Sequence, residues 1–333
     1  MQVVDVPEPG PAAPGWVVVR PETIGICGSD FHYFHGDLGS VSDEELYPRV
    51  QGHEFSAIIE DVGPGRPPSL AAGQRVAVWP VIACGSCHAC RLGRGHACER
   101  IDLIGIHRDG ALQQRVSIPA SQAFPVTDTD ARLSAFIEPM SIAVRTVVRG
   151  RVAAGERVLV LGAGPIGQAV AIAALDRGAS VLMVDRVAAR LERGGASGAD
   201  LAVLEPGDDL VSRAREWSGG ELPEVVVEAT GAQEPMRAAL DAVAQTGRVL
   251  VVGLSTHEVP LHIGTLPFRE LDVLGVSTCS AEDFAEAVEL VARRRDAVEP
   301  LISHEYSLEE APAAIAFAIA NPAEAMKVLV HTG

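Results

Sequence analysis

Two hydrophobic rhythms divide the chain. Up to about Thr127, short β-rich runs such as 16–20 (WVVVR) and 75–79 (RVAVW) alternate with turns rich in glycine and proline. That pattern predicts a β-barrel or sandwich with long loops. From about Arg157 the order becomes strand, tight turn, helix, strand. Apolar runs at 157–161, 180–184, 224–227 and 248–252 are separated by helical segments such as 165–177 and 235–244. Continuous apolar strands linked through helices predict a parallel, doubly wound sheet covered on both faces. Beyond about Gly275, helical stretches at 282–295 and 308–320 precede a last strand at 327–331.

Composition bounds what such a chain can do. With 333 residues, 47% of them hydrophobic, it has the length for about two domains and ample apolar side chain for a core. No apolar stretch reaches the ~18–20 residues of a membrane span, and no basic start leads into an apolar block and cleavage site. A cytoplasmic protein with no membrane partner is expected. The net charge of −17 argues against nucleic acid, whose phosphates need clustered positive charge. Of the 27 basic residues 26 are arginine, so Schiff-base chemistry has one candidate in the whole chain, Lys327.

Directly after the run at 157–161 comes Gly162-Ala163-Gly164-Pro165-Ile166-Gly167, a G-x-G-x-x-G turn between a strand and a helix. The first glycine permits the tight turn, the second lets the backbone approach a pyrophosphate, and the third lets the helix pack on the sheet. The helix N-terminus then offers free N–H groups to the phosphates. The next apolar strand ends at Asp185, where a carboxylate accepts hydrogen bonds from ribose hydroxyls and repels a 2′-phosphate. NAD is therefore expected over NADP, although the neighbouring Arg186 could reach a phosphate.

Four of the six cysteines, Cys84, Cys87, Cys90 and Cys98, fall within fifteen residues as C-x2-C-x2-C-x7-C. In a reducing compartment this spacing reads as one closed, tetrahedral zinc site rather than as disulfides. A redox Cys-x-x-Cys pair would leave the third and fourth cysteines unexplained. A second, more dispersed set comprises Cys27, His53 and a carboxylate. Three protein ligands with an open fourth position make the arrangement of a catalytic zinc.

The motifs GICGSDFH, GHEF, AAGQRVAV, IEPMSIAV, VLGAGPIG, GASGAD, EATG and VVGL, with the four-cysteine lobe, occur in one order along nearly the whole chain. In this the chain resembles the zinc-dependent medium-chain dehydrogenases of the alcohol, sorbitol and threonine dehydrogenase superfamily. Glu138-Pro139-Met140-Ser141 is similar to the polyol and sugar-acid branch, and residues 103–112 (LIGIHRDGAL) to the galactonate-type enzymes. The resemblance implies a GroES-like β-barrel catalytic domain, residues 1–140 and 275–333, carrying the zinc lobe at 84–98. A Rossmann coenzyme domain, 141–274, lies between its two parts, with substrate in the cleft. It further implies a secondary alcohol oxidised reversibly to a ketone, two zinc ions per chain, and a homodimer or homotetramer.

By the same resemblance Cys27 and His53 hold the catalytic zinc with Glu54 or Glu138, Ser29 takes the substrate proton, and His32 passes it on through the cofactor ribose. Lys327 and Arg190 match positions contacting cofactor phosphate and ribose, and Val252, Gly253 and Leu254 match the loop beside nicotinamide. Tyr33 and Glu138 would contact substrate hydroxyls, and Arg108 would present its planar fork to a substrate carboxylate. Cys279 is left as a packing residue. Two other readings stay open: threonine or a simple alcohol as substrate, and an NAD-sensing zinc module without catalysis.

Overall fold

The computed structural model describes residues 1–36, 47–255 and 257–333. The chain enters its first sheet through β1 (Trp16–Gly25) and turns at once into α1 (Gly28–His35). It then runs through β2 (Glu54–Val62), β3 (Arg75–Val78), β4 (Val81–Ile82), β5 (Asp102–Leu103), β6 (Val116–Pro119) and β7 (Ala123–Pro125). The four-cysteine lobe is the excursion between β4 and β5, which pair with each other. After α2 (Ile137–Arg149) come β8 (Arg157–Leu161), α3 (Pro165–Asp176) and β9 (Ser180–Asp185), then β10 (Asp200–Val203), β11 (Val225–Glu228), β12 (Arg248–Val251) and β13 (Asp272–Gly275). The last part comprises α4 (Ala281–Arg293), β14 (Ile302–Ser307), α5 (Ala311–Ala320) and β15 (Lys327–His331).

Two compact units result. One comprises Met1–Ser141, Thr278–Arg295 and Ile302–Gly333; the other comprises Ile142–Ser277 and Asp296–Leu301. The first holds a seven-stranded sheet in the order β14-β15-β1-β2-β3-β7, with β6 paired to β1. All its ladders are antiparallel except β14–β15. Its core is apolar and mostly aliphatic, built on Val17, Val19, Phe55, Ile59, Val76 and Ile118. The β1–β2 register sets Gly25 opposite Glu54, so the chain segments that follow β1 and precede β2 meet at one end of the sheet.

The second unit holds six parallel strands in the order β10-β9-β8-β11-β12-β13. Strand order reverses between β8 and β11, and in sheets of this kind the crevice outside the carboxyl ends at that switch is where a ligand sits. Both the glycine turn at 162–167 and the turn at 228–231 lie there. Here the apolar runs read from the sequence are the strands observed, within a residue. The helix read at 235–244 is Gln233–Ala242, because Val243 is already extended. The helix read at 308–320 starts only at Ala311, since Glu310 uses its carboxylate to close a turn onto the Ser307 N–H and hydroxyl.

Candidate active site

The first constellation grows out of the turn between β1 and α1. Cys27 caps α1, and the Asp30 carboxylate accepts the Cys27 N–H at 2.8 Å in a capping box that fixes both side chains. Gly25 is needed for close approach: a Cβ there would lie 2.3 Å from a Glu54 carboxylate oxygen. Ligand atoms of Cys27, His53 and Glu54 consequently lie within 4.8 Å of one another. The Ser29 hydroxyl is 3.4 Å from His53 Nε2, and His32 follows one turn along α1, half-buried. Glu138 projects from the first turn of α2 and is buried.

Sequence reasoning passed over Asp30. It is buried and holds an oxygen 3.9 Å from His53 Nδ1, the ring nitrogen that faces away from Ser29 and has no hydrogen-bond partner. At that distance the carboxylate is a charge neighbour of the imidazole rather than a hydrogen-bond partner, on the side of the ring where it favours the proton on Nδ1. The signal was present in the GSD triplet, but only the fold shows which way the aspartate points.

Lys327, expected by resemblance to contact cofactor phosphate, is 2% exposed, with its ammonium donating to the Ile26 carbonyl at 3.0 Å and to Glu54 at 2.5 Å. Burial alone would lower its pKa, but Glu54 and Cys27 hold it above the ordinary lysine value.

The remaining electrostatics suit the binding of a cation. Burial raises the Asp30 carboxyl against the pull of His53, and it raises Glu138 to about 7. Burial would lower His53, yet the thiol of Cys27 and the carboxylates of Asp30 and Glu138 push it well above its usual value. Four acidic groups (Cys27, Asp30, Glu54 and Glu138) thus crowd around one lysine and one imidazole. A divalent ion on Cys27, His53 and a glutamate would relieve that repulsion, and the soft and borderline ligands suit zinc.

The second constellation is closed. Sulfur atoms stand 3.4–3.9 Å apart in the pairs Cys84–Cys90, Cys87–Cys90 and Cys87–Cys98. A tetrahedron of Zn–S bonds of about 2.3 Å has edges of about 3.8 Å. Backbone N–H groups of Ser86 and Cys87 lower the Cys84 thiol to about 5, whereas burial and neighbouring thiols raise Cys90 to about 12. The Arg100 guanidinium also donates to Cys84 Sγ at 3.2 Å. Such a set could hold zinc as thiolates, with no position left for substrate.

In the second unit Gly162 has φ of 101°, and a Cβ at Gly167 would sit 1.8 Å from the Gly162 carbonyl. Pro165 and Ile166 open α3, and the space in front of Gly164 is clear, as an approaching pyrophosphate needs. Asp185 accepts from Ala163 N at 2.7 Å and Val187 N at 2.8 Å, leaving carboxylate lone pairs for ribose hydroxyls. Arg190 lies 3.9 Å from Asp185, and Arg186 is drawn away to Glu234 at 2.6 Å. Val252 and Gly253 turn back through N–H bonds to the Glu228 carbonyl, and Leu254 is exposed beyond them.

Of the substrate residues, Tyr33 is buried at 4.7 Å from the Tyr47 ring, hydrogen-bonded to Arg49, and burial raises its hydroxyl to about 12. Arg108, expected to meet a substrate carboxylate, has its fork filled by Asp102, with three donor–acceptor distances of 2.5–3.1 Å, and it lies 5.5 Å from the Trp16 ring centroid. A substrate carboxylate would have to displace a bidentate partner six residues away. Arg108→Ala is therefore expected to change kcat/KM for an acid substrate by no more than about twofold, the scale of a part-exposed pair. Steady-state kinetics showing a tenfold loss would restore it as a substrate contact.

Residues 13–128 match the alcohol dehydrogenase GroES-like domain, and residues 165–293 match the zinc-binding dehydrogenase domain. An L-galactonate-5-dehydrogenase of Escherichia coli K12 is 35% identical over 303 residues, 91% of this chain and 86% of the relative. A zinc-binding dehydrogenase of Sinorhizobium meliloti 1021, solved with NADP, is 32% identical with a TM-score of 0.87, covering 99% and 94% of the two chains. An alcohol dehydrogenase of E. coli CFT073, solved with NADH, is 27% identical with the same TM-score, covering 97% and 94%. Domain matches, identity over nine-tenths of the chain and the two donor sets agree: this chain belongs to the zinc-dependent medium-chain alcohol dehydrogenases, oxidoreductases that use zinc and a nicotinamide dinucleotide.

Proposed function

We propose that the substrate is a sugar acid or polyol oxidised at a secondary carbon, with NAD as acceptor. The observation that carries the reading is the convergence of Cys27, His53 and Glu54 within 4.8 Å, with the Ser29 hydroxyl beside them. When bound, zinc supplies Lewis acidity to the alcohol oxygen and NAD supplies the hydride acceptor. The chain's own residues do the rest. Ser29 accepts the alcohol proton, and His32, one turn further along α1, relays it towards solvent. Asp30 keeps the His53 ring oriented, while Glu54 and Glu138 are alternative carboxylates for the metal's third protein ligand. Tyr33 borders the substrate's neighbouring hydroxyls. The four cysteines at 84–98 hold a second, structural zinc.

The galactonate-type relative favours an acid, whereas the occupied fork of Arg108 favours a neutral polyol as the second reading. NADH formation measured over aldonates, polyols and threonine separates them. Activity on threonine alone would defeat both.

NAD rather than NADP follows from Asp185, whose carboxylate would face a 2′-phosphate, and from the engagement of Arg186 by Glu234. Asp185→Ser is expected to raise KM for NAD and narrow the gap to NADP by roughly tenfold, about the 1.4 kcal/mol of one charge contact. Unmodified enzyme that prefers NADP in steady-state kinetics would overturn the assignment.

The catalytic domain is taken as residues 1–140 and 275–333, and the coenzyme domain as 141–274. A homo-oligomer fits the β13 edge, where Val273 is 38% exposed and the nearby chain leaves Phe268 and Ile263 at 87% and 71%. Sheet edges of this kind are normally covered. Light scattering should give at least a dimer, and Phe268→Asp should shift it towards monomer; a monomeric native protein would count against this. Six unpaired cysteines suit a cytoplasmic location, and no described helix is long and apolar enough to cross a membrane.

A further inference from the structure

Thr278 has φ of 43°, the left-handed region that a β-branched residue rarely occupies. Such an outlier persists only where its surroundings hold it, and it marks places worth explaining. The holding bonds here run in three directions. The Thr278 hydroxyl donates to the carbonyl of His96, inside the four-cysteine lobe, at 2.7 Å. The Trp79 indole donates to the Cys279 carbonyl at 3.2 Å. Ser141 on α2 is hydrogen-bonded to Cys279 Sγ at 3.0 Å and, through the same hydroxyl, to the Glu138 carbonyl at 2.6 Å. Cys279 itself is 1% exposed, and Ser280 next to it caps α4 through a capping box with Asp283.

These bonds form one continuous path from the structural zinc lobe to the turn of α2 that carries Glu138. We propose that Thr278–Cys279 is a strap by which the four-cysteine lobe positions Glu138 against Cys27 and His53, with Thr278, Cys279 and Ser141 as positioning residues. The proposal rests on the reading of Glu138 as a group of the catalytic metal site. It gives the structural zinc a task beyond folding its own lobe, and gives a buried thiol with no part in the chemistry a reason to be there. Without the Cys279 contact, the first turn of α2 loses its outer anchor, and Glu138 is free to swing from the metal position. Without the Thr278 hydroxyl, the strap loses its hold on the lobe.

The test follows zinc release from the holoenzyme to a chelator, together with the visible spectrum after cobalt replaces the catalytic zinc. Cys279→Ala should release the catalytic zinc roughly tenfold faster and alter the cobalt bands, on the scale of lost outer-sphere support for a metal ligand. The four-cysteine zinc should leave at its native rate, which also shows the variant to be folded. Its kcat should fall while KM for NAD stays constant, and Cys279→Ser, which keeps a hydrogen-bonding atom, should recover most of the native behaviour. Thr278→Val exchanges the hydroxyl for a methyl group of similar size and should shift the catalytic site in the same direction, so the proposal stays testable if Cys279→Ala does not fold. Native release and spectra in Thr278→Val and in folded Cys279→Ala would overturn the strap. Glu138→Gln separates the two layers. If it disturbs the cobalt spectrum while the strap variants do not, only the strap fails; if it too is silent, the placement of Glu138 at the metal fails with it.

Discussion

His53→Ala should leave one zinc per chain where the native enzyme binds two, and should lower kcat/KM by about a thousandfold or more. The magnitude corresponds to about 4 kcal/mol, within the several kcal/mol that a Lewis-acidic metal supplies to a developing alkoxide. The geometry explains why one imidazole matters so much. His53 is enclosed by Cys27, Ser29, Asp30 and Glu138, and no other described histidine shares the cluster. Its loss leaves Cys27, Glu54 and Glu138 as an anionic pocket with one neutral ligand fewer, and removes the ring beside which the Ser29 hydroxyl is placed. The four-cysteine lobe has none of its sulfur ligands disturbed and should keep its metal. Elemental analysis with steady-state kinetics decides the matter. Two zinc ions with near-native turnover in His53→Ala would place the catalytic metal elsewhere.

Lys327→Met should destabilise the protein by about 3–5 kcal/mol, the range for removing one partner of a buried ion pair. Methionine matches the lysine stem in length, so little packing is lost. What remains is the Glu54 carboxylate, 1% exposed, without its cation in a site that already holds Cys27, Asp30 and Glu138. The double variant Lys327→Met/Glu54→Gln should recover most of the loss, because replacing both charges removes the orphan. Denaturant unfolding of both proteins at equal zinc saturation measures the difference. A single variant within 1 kcal/mol of native would show that the pair contributes little or that the metal takes over the charge. This experiment also separates two roles for the only lysine: a phosphate contact would raise KM for NAD at unchanged stability.

Much of this protein was legible along the chain because its signals are local. Consecutive apolar residues at 158–161 and 249–252 read as strands buried on both faces, and a G-x-G-x-x-G turn between strand and helix needs its glycines for backbone reasons alone, as φ of 101° at Gly162 shows. Four cysteines within fifteen residues bring their sulfurs together almost regardless of what surrounds them. Strand β14 escaped notice because its sequence, ISHEYS, has no apolar alternation; it exists through parallel pairing with β15. Contacts between distant residues were decided only by the tertiary structure. Lys327 meets Glu54 across 273 residues, and Cys279 meets Ser141 across 138. Arg108 looked free for a substrate until the β5 turn placed Asp102 in its fork. Backbone conformation and metal spacing follow from neighbours in sequence, whereas the partner of a buried charge depends on which desolvated positions the fold brings together.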